Sequence, residues 1–236
     1  MQRLPDFLAL DDEAKITATT IGRENQPLLK IENFMRDTQP MREYAIRTNN
    51  FVPADFYPGI RMLLPPEYLQ ALLMHLQKYL VELFQLDINK FDKGESFFAI
   101  VNRQPKDLQF LQKIPHFDAP NKDGIAAIHY LTNVENSGTS FYRHRSTGYE
   151  YVDNERRDVY ASVIESEFRD KHQLLNGYIN GDTDEFELIR SEPAVANTIL
   201  VYRGSSLHSG NIHSEYNFDG NPATGRLTIT TFAKFW

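Results

Sequence analysis

Ile114-Pro115-His116-Phe117-Asp118, followed by Ile125-Ala126-Ala127-Ile128-His129-Tyr130-Leu131-Thr132, is the stretch on which the fold turns. It carries short apolar and β-branched runs, broken by turn residues after only a few positions, which is how buried strands read. The same texture extends outward on both sides. Phe97–Asn102, Ile114–Phe117, Ile125–Thr132, Thr139–Arg145, Glu185–Arg190, Thr198–Tyr202 and Leu227–Phe235 are the predicted strands, a number that suits a barrel or jelly roll.

Upstream the pattern is mixed. Lys15–Gly22 and Leu28–Ile31 read as strands, and Asp37 or Thr38 is placed to cap a helix running through Met41, Tyr44 and Ala45 toward Asn49. A longer helix is predicted from Pro66 to about Gln85, because Leu69, Leu72, Leu73, Leu76, Leu80 and Leu83 recur every three or four residues. Such a stripe needs an apolar partner, most simply the back of a sheet. Residues 149–184 interrupt the strands with a charged, loosely helical segment that reads as an insertion. The expected organisation is one domain over 1–236, mainly β with flanking helices: an N-terminal α/β layer over 1–95 and a double-stranded β-helix, cupin-like, over 96–236.

Composition narrows the function. At 41% hydrophobic and 24% charged residues the chain resembles an ordinary globular protein. A formal charge of −7 argues against a generic nucleic-acid binder, so no nucleic acid is expected as a partner. The absence of cysteine excludes disulfides, zinc ribbons, iron–sulfur clusters and thiol nucleophiles. Any metal must therefore sit on His, Asp, Glu or carbonyl oxygen. Neither a secretory signal in Met1–Leu10 nor an apolar run of membrane-spanning length is visible, which makes the cytoplasm the expected location and a membrane partner unexpected.

His116 and Asp118 lie two apart at a predicted strand end, where period-two geometry turns both to one face and Phe117 to the other. His208, in Tyr202-Arg203-Gly204-Ser205-Ser206-Leu207-His208, is the best third ligand, with His213 as its alternative. Two histidines and one carboxylate leave coordination positions open, the arrangement of Fe(II) oxygenases. On the last strand, alternation puts Arg226 and Thr228 on one side, where the guanidinium fork suits a carboxylate and the hydroxyl can add a hydrogen bond. The plainer reading of Arg226 is a salt bridge with an acidic neighbour.

His116-Phe117-Asp118, then His208, then Arg226-Leu227-Thr228 resembles the Fe(II)- and 2-oxoglutarate-dependent dioxygenase superfamily. Ile128-His129-Tyr130-Leu131-Thr132, Ser137-Gly138-Thr139-Ser140-Phe141-Tyr142 and, more weakly, Phe56-Tyr57-Pro58-Gly59 are similar to its prolyl-hydroxylase-like branch, and the whole looks like a poorly characterised bacterial-type offshoot. The step from His208 to Arg226 spans 18 positions, longer than the ten or so usual in that superfamily. The resemblance implies an iron held by His116, Asp118 and His208, and 2-oxoglutarate gripped at its far carboxylate by Arg226 and Thr228, with Tyr130 also touching it. It further implies O2 as co-substrate and hydroxylation of a small molecule or peptide. Two other functions share this fold: a cupin-like metal enzyme that does not use 2-oxoglutarate, and a jelly-roll binding module without catalysis.

Several residues receive plainer readings. Tyr142-Arg143-His144-Arg145 could line a substrate mouth but more simply presents an exposed basic face; His129 and Tyr202 read as core or as support for the ligands; His75 and His172 read as helix residues away from the site. The aromatic tail Phe232-Ala233-Lys234-Phe235-Trp236 is a candidate contact for a homodimer.

Overall fold

A computed structural model describes residues 5–171 and 175–236; His172 lies outside them. Among the described residues, eleven strands form two antiparallel sheets, and three α-helices flank them. The large sheet runs in the order β1 (Lys15–Ile21), β2 (Gln26–Glu32), β9 (Thr198–Arg203), β6 (Gly124–Tyr130), β11 (Leu227–Phe235), β5 (Phe91–Val101), β4 (Gly59–Leu63), β3 (Val52–Pro53). The small sheet is β10 (His208–Ile212), β7 (Ser137–His144), β8 (Phe186–Pro193). Two sheets facing each other in this way make a jelly-roll sandwich. The N-terminal strands are part of it: β1 and β2 extend one edge of the large sheet, β3 and β4 the other.

Alternation along each strand separates two environments. On β11, Leu227, Ile229 and Ala233 face one way, joining Ile100, Ile125, Ile199 and Val201 in the main hydrophobic cluster. That cluster is closed by α1 (Gln39–Thr48), through Met41 and Ala45, and by α2 (Pro66–Glu82), through Ala71, Leu72, Leu76 and Leu80. Pro66 opens α2 because its missing N–H lies among groups that no helix satisfies internally. Leu83 and Gln85, expected inside that helix, follow its end at Glu82. At α1, Thr38 precedes the helix without a capping side chain, whereas Asp37 Oδ1 accepts from the backbone of Gln39 at 2.8 Å.

The other face of β11 carries Arg226, Thr228 and Thr230 toward the small sheet, where Tyr130, Leu200 and Tyr202 meet Phe141. The 149–184 segment folds in part as α3 (Arg157–Phe168). Its Tyr160, Ile164 and Phe168 pack with Tyr142, Phe186 and Leu207, on the side of the small sheet away from the inter-sheet space. The segment is pinned by Glu150, which accepts from Arg143 and from the backbone N–H groups of Arg23 and Glu24 in the β1–β2 turn. Gly22 of that turn has φ +73°, and a Cβ there would collide with the Glu150 carboxylate. No helix among the described residues is long and apolar enough to cross a membrane.

Two strand expectations change. Ile114–Phe117 makes only the single bridge His116 to His208, because Pro115 has no N–H to give to a ladder. Conversely, β10 is a strand although Ser209-Gly210-Asn211 has poor β propensity; its pairing with β7 over five residues imposes it.

Candidate metal centre

The bridge just described builds the site. His116 and His208 exchange backbone hydrogen bonds (2.8 and 2.9 Å), which sets their rings side by side, centroids 4.4 Å apart. Asp118 is fixed next to them by its N–H, which donates to the Gly204 carbonyl at 2.7 Å. As a result the carboxylate oxygens lie 3.9 Å from His116 Nε2 and 3.6 Å from His208 Nε2. One donor atom from each of the three residues falls within 4.8 Å of the others, and this is the cluster of metal-ligating side chains that the described residues contain. Phe117 turns away and packs near Tyr160, 6.2 Å between ring centroids.

The protonation pattern suits a cation. His208 Nδ1 is 2.9 Å from the Ser206 carbonyl and donates its proton there, which leaves Nε2 as the ring atom facing Asp118. Desolvation, with His208 and Arg61 beside it, pushes His116 well below the usual imidazole range and keeps it neutral. With 48% of the His116 side chain accessible, burial acts less strongly on it than on a fully enclosed ring. Burial pushes Asp118 above the usual carboxylate range, against the pull of His208 and Arg61. A divalent ion would reverse that cost directly, because neutral imidazoles and an anionic oxygen are the ligand forms it needs.

Behind the triad, Arg226 is buried at 2% exposure. Its Nε donates to Ser137 Oγ (2.5 Å) and one Nη to the Gly138 carbonyl (3.1 Å), while its guanidinium lies 5.4 Å from the Tyr130 ring centroid. An acidic partner, the plainer expectation for Arg226, is not among its contacts. The Tyr130 hydroxyl bonds Thr139 Oγ1 at 2.7 Å, and Thr228 Oγ1 donates to the Ala99 carbonyl at 3.1 Å, so its single proton points into the sheet. The register places Tyr130, Thr228 and Ala99 directly opposite one another across three strands.

Other expectations resolve clearly. His213 is exposed and outside the cluster, which leaves His208 as the third member. His129 is buried on the opposite face, between the Tyr68 hydroxyl (3.1 Å) and Asn197 Oδ1 (3.2 Å). His75, on α2, bonds the Leu8 carbonyl. Tyr202 abuts the site, its ring 4.7 Å from that of His208. Of the Tyr142–Arg145 cluster only Arg145 is exposed, paired with Asp182 at 3.0 Å; Tyr142 and His144 are fully buried, and Arg143 is sealed between Glu150 and Glu187 at 2.5 Å each. Sequence reasoning overlooked Arg61 on β4 and passed over the Tyr57 side chain; the available signal was a lone cation inside the apolar run Ile60-Arg61-Met62-Leu63.

Sandwich and triad together define the class of fold to which the chain is similar. Over 90% of its length, and 81% of the other chain, it matches the crystal structure of the non-heme alpha ketoglutarate dependent carbocyclase SnoK from nogalamycin biosynthesis, with a TM-score of 0.51 and 12% identity, a likeness of fold alone. Weaker matches are a Pseudomonas putida prolyl-4-hydroxylase (TM-score 0.47, 11% identity, 90% and 95% of the two chains) and HygX from Streptomyces hygroscopicus with nickel, 2-oxoglutarate and hygromycin B bound (0.48, 10%, 89% and 84%). By sequence, the chain belongs to the family described as "Family of unknown function (DUF6445)", whose model matches residues 12–233. No protein with a curated description matches it.

Proposed function

We propose that this protein is an Fe(II)- and 2-oxoglutarate-dependent oxygenase that hydroxylates a small molecule or peptide. The observation that carries the reading is the convergence of His116, Asp118 and His208, three donors of the right chemistry within 4.8 Å of one another. In this reading the three side chains hold iron on one side and leave its other positions to 2-oxoglutarate and O2. When bound, the pair supplies the oxidation: 2-oxoglutarate is decarboxylated to succinate while one oxygen atom enters a substrate C–H bond.

The chain's own residues provide position and electrostatics. Arg226, held by Ser137 and Gly138, presents the rest of its guanidinium to the far carboxylate of 2-oxoglutarate. Tyr130 orders that guanidinium through its ring and offers its hydroxyl beside it. Thr228 contributes only after its hydroxyl rotates away from the Ala99 carbonyl. Tyr202 walls the His208 side and keeps water from it.

Anaerobic titration of the purified protein with Fe(II) and then 2-oxoglutarate tests this. A weak visible charge-transfer band that needs both additions, and succinate on admitting O2, is the expected result. Iron binding without the band or succinate would favour a cupin-like enzyme of another type, and no iron binding at all would favour a jelly-roll binding module.

A further inference from the structure

Arg61 is a charge without a polar partner among the described residues. It sits on β4 opposite Ala99, which in turn sits opposite Thr228 and then Tyr130, so the four residues form one transverse row on the inner face of the large sheet. Its guanidinium is stacked among aromatic rings, 4.3 Å from the Tyr57 centroid, 5.4 Å from Phe232 and 5.7 Å from Phe97. Among the described residues it makes no hydrogen bond and no ion pair, and its Nε is out of solvent and unpartnered. The residue is partly buried, and ring faces rather than an anion surround its charge. Desolvation lowers its pKa from the usual arginine value.

The row shows where Arg61 stands relative to the site. Two strand spacings, roughly 9.5 Å, separate the Arg61 and Thr228 backbones. The residue between them, Ala99, is fully buried, and Tyr57 lies against Arg61 and beside Thr228. Tyr130, at the other end of the row, shares the inter-sheet cluster with Tyr202, whose ring lies 4.7 Å from that of His208, so the row faces the metal side of the space between the sheets. His116, half-exposed, marks where that side opens. Aromatic rings against the guanidinium faces leave its in-plane N–H groups to bind, the geometry that favours a bidentate carboxylate.

We infer that Arg61 is an anion-binding residue that grips a carboxylate of the molecule brought to the open side of the His116–Asp118–His208 cluster. The carboxylate has two sources, the primary substrate or the metal-binding end of 2-oxoglutarate. The inference deepens the oxygenase reading but stands on Arg61 and its neighbours alone. It makes the primary substrate, when it is the source, an anionic compound.

Acetate is a probe small enough to enter with or without a metal, and the Nε–H NMR resonance of Arg61 reports on it directly. On metal-free protein, saturable movement of that resonance with acetate but not acetamide is expected, and acetate binding followed by calorimetry should be lost in Arg61→Leu. Arg61→Lys retains the charge; acetate binding to it, followed by calorimetry, guards against a variant that fails to fold. On protein loaded with Mn(II) and 2-oxoglutarate, continued acetate binding identifies the substrate as the source. Movement of the Arg61 resonance by 2-oxoglutarate alone, with at least a tenfold loss of its affinity in Arg61→Leu, identifies the co-substrate. Should acetate leave the Arg61 resonance unmoved in every state, the inference is overturned. Failure of the oxygenase reading would look different: neither metal nor 2-oxoglutarate would bind, while the acetate response at Arg61 persisted.

Discussion

The two faces of the large sheet are chemically opposite. On β11, Leu227 and Ile229 are fully buried beneath α1 and α2 in a layer of aliphatic and aromatic side chains. Their immediate neighbours Arg226 and Thr228 are just as buried, yet they face Tyr57, Tyr130, Arg61 and the His–Asp–His cluster. Only the first arrangement stabilises the fold efficiently, at about 25 cal/mol per Å² of apolar surface removed from water. The second holds orphaned polar atoms, among them the Tyr57 hydroxyl and Arg61 Nε. Tyr57 lies beside Thr228 without a hydrogen bond of normal geometry, and burial raises its pKa. A face retained at that cost is the one where function is to be sought.

Substitutions on the two faces should therefore separate stability from binding. The largest effect on stability is expected for Leu76→Ala in α2, a loss of about 2–5 kcal/mol in denaturant unfolding. Metal affinity of the folded variant should stay unchanged. If Leu76→Ala weakened metal binding as strongly as it weakened the fold, the division between the faces would not hold.

Acid should act on the apolar face next. His129 is buried there and held to a pKa of about 4 by desolvation, against the hydrogen bond to Asn197 that raises it. In the unfolded chain it titrates near its ordinary value of about 6.5, so between these limits the unfolded state binds the extra proton. The contribution is therefore complete above pH 6.5 and falls by about 3 kcal/mol as the pH drops to 4. Unfolding measured at both pH values should show that loss in the wild type, and much less of it in His129→Gln.

On the polar face, Arg226→Leu should weaken 2-oxoglutarate by about 1.5–3 kcal/mol, the value of hydrogen bonds to a charged group, with metal affinity unaffected. Calorimetry on Mn(II)-loaded protein checks it. Equal affinity in the variant would move the co-substrate's anchor away from Arg226. The smallest change is expected for Thr228→Val. Its hydroxyl already serves Ala99, so 2-oxoglutarate should lose no more than about 1 kcal/mol.

How much of this was legible in the chain depends on whether a residue's role is local. The stripe from Leu72 to Leu80 and the strand Leu227–Phe235 announce themselves by period, because burial on one face leaves a local pattern. His116 and Asp118 were readable for the same reason, being two apart on one backbone. Nothing local marks β10, whose polar sequence becomes a strand only through β7. Arg143 shows the same limit. It reads as surface charge until Glu150, in the insertion, and Glu187, on β8, close over it. Arg61 carries no local mark either, because Phe97 and Phe232, two of the rings that flank it, come from strands far away in sequence.

The claim beneath all of this is that two imidazoles and one carboxylate take hold of a single divalent ion. Calorimetric titration of metal-free protein with Mn(II), a stand-in for iron that tolerates air, tests it most directly. One equivalent should bind the wild type. In Asp118→Ala and His208→Ala the affinity should drop by more than the roughly 10- to 100-fold that loss of a mere supporting hydrogen bond produces, while His129→Gln keeps it. Stoichiometric binding of equal strength in wild type and both ligand variants would contradict the account.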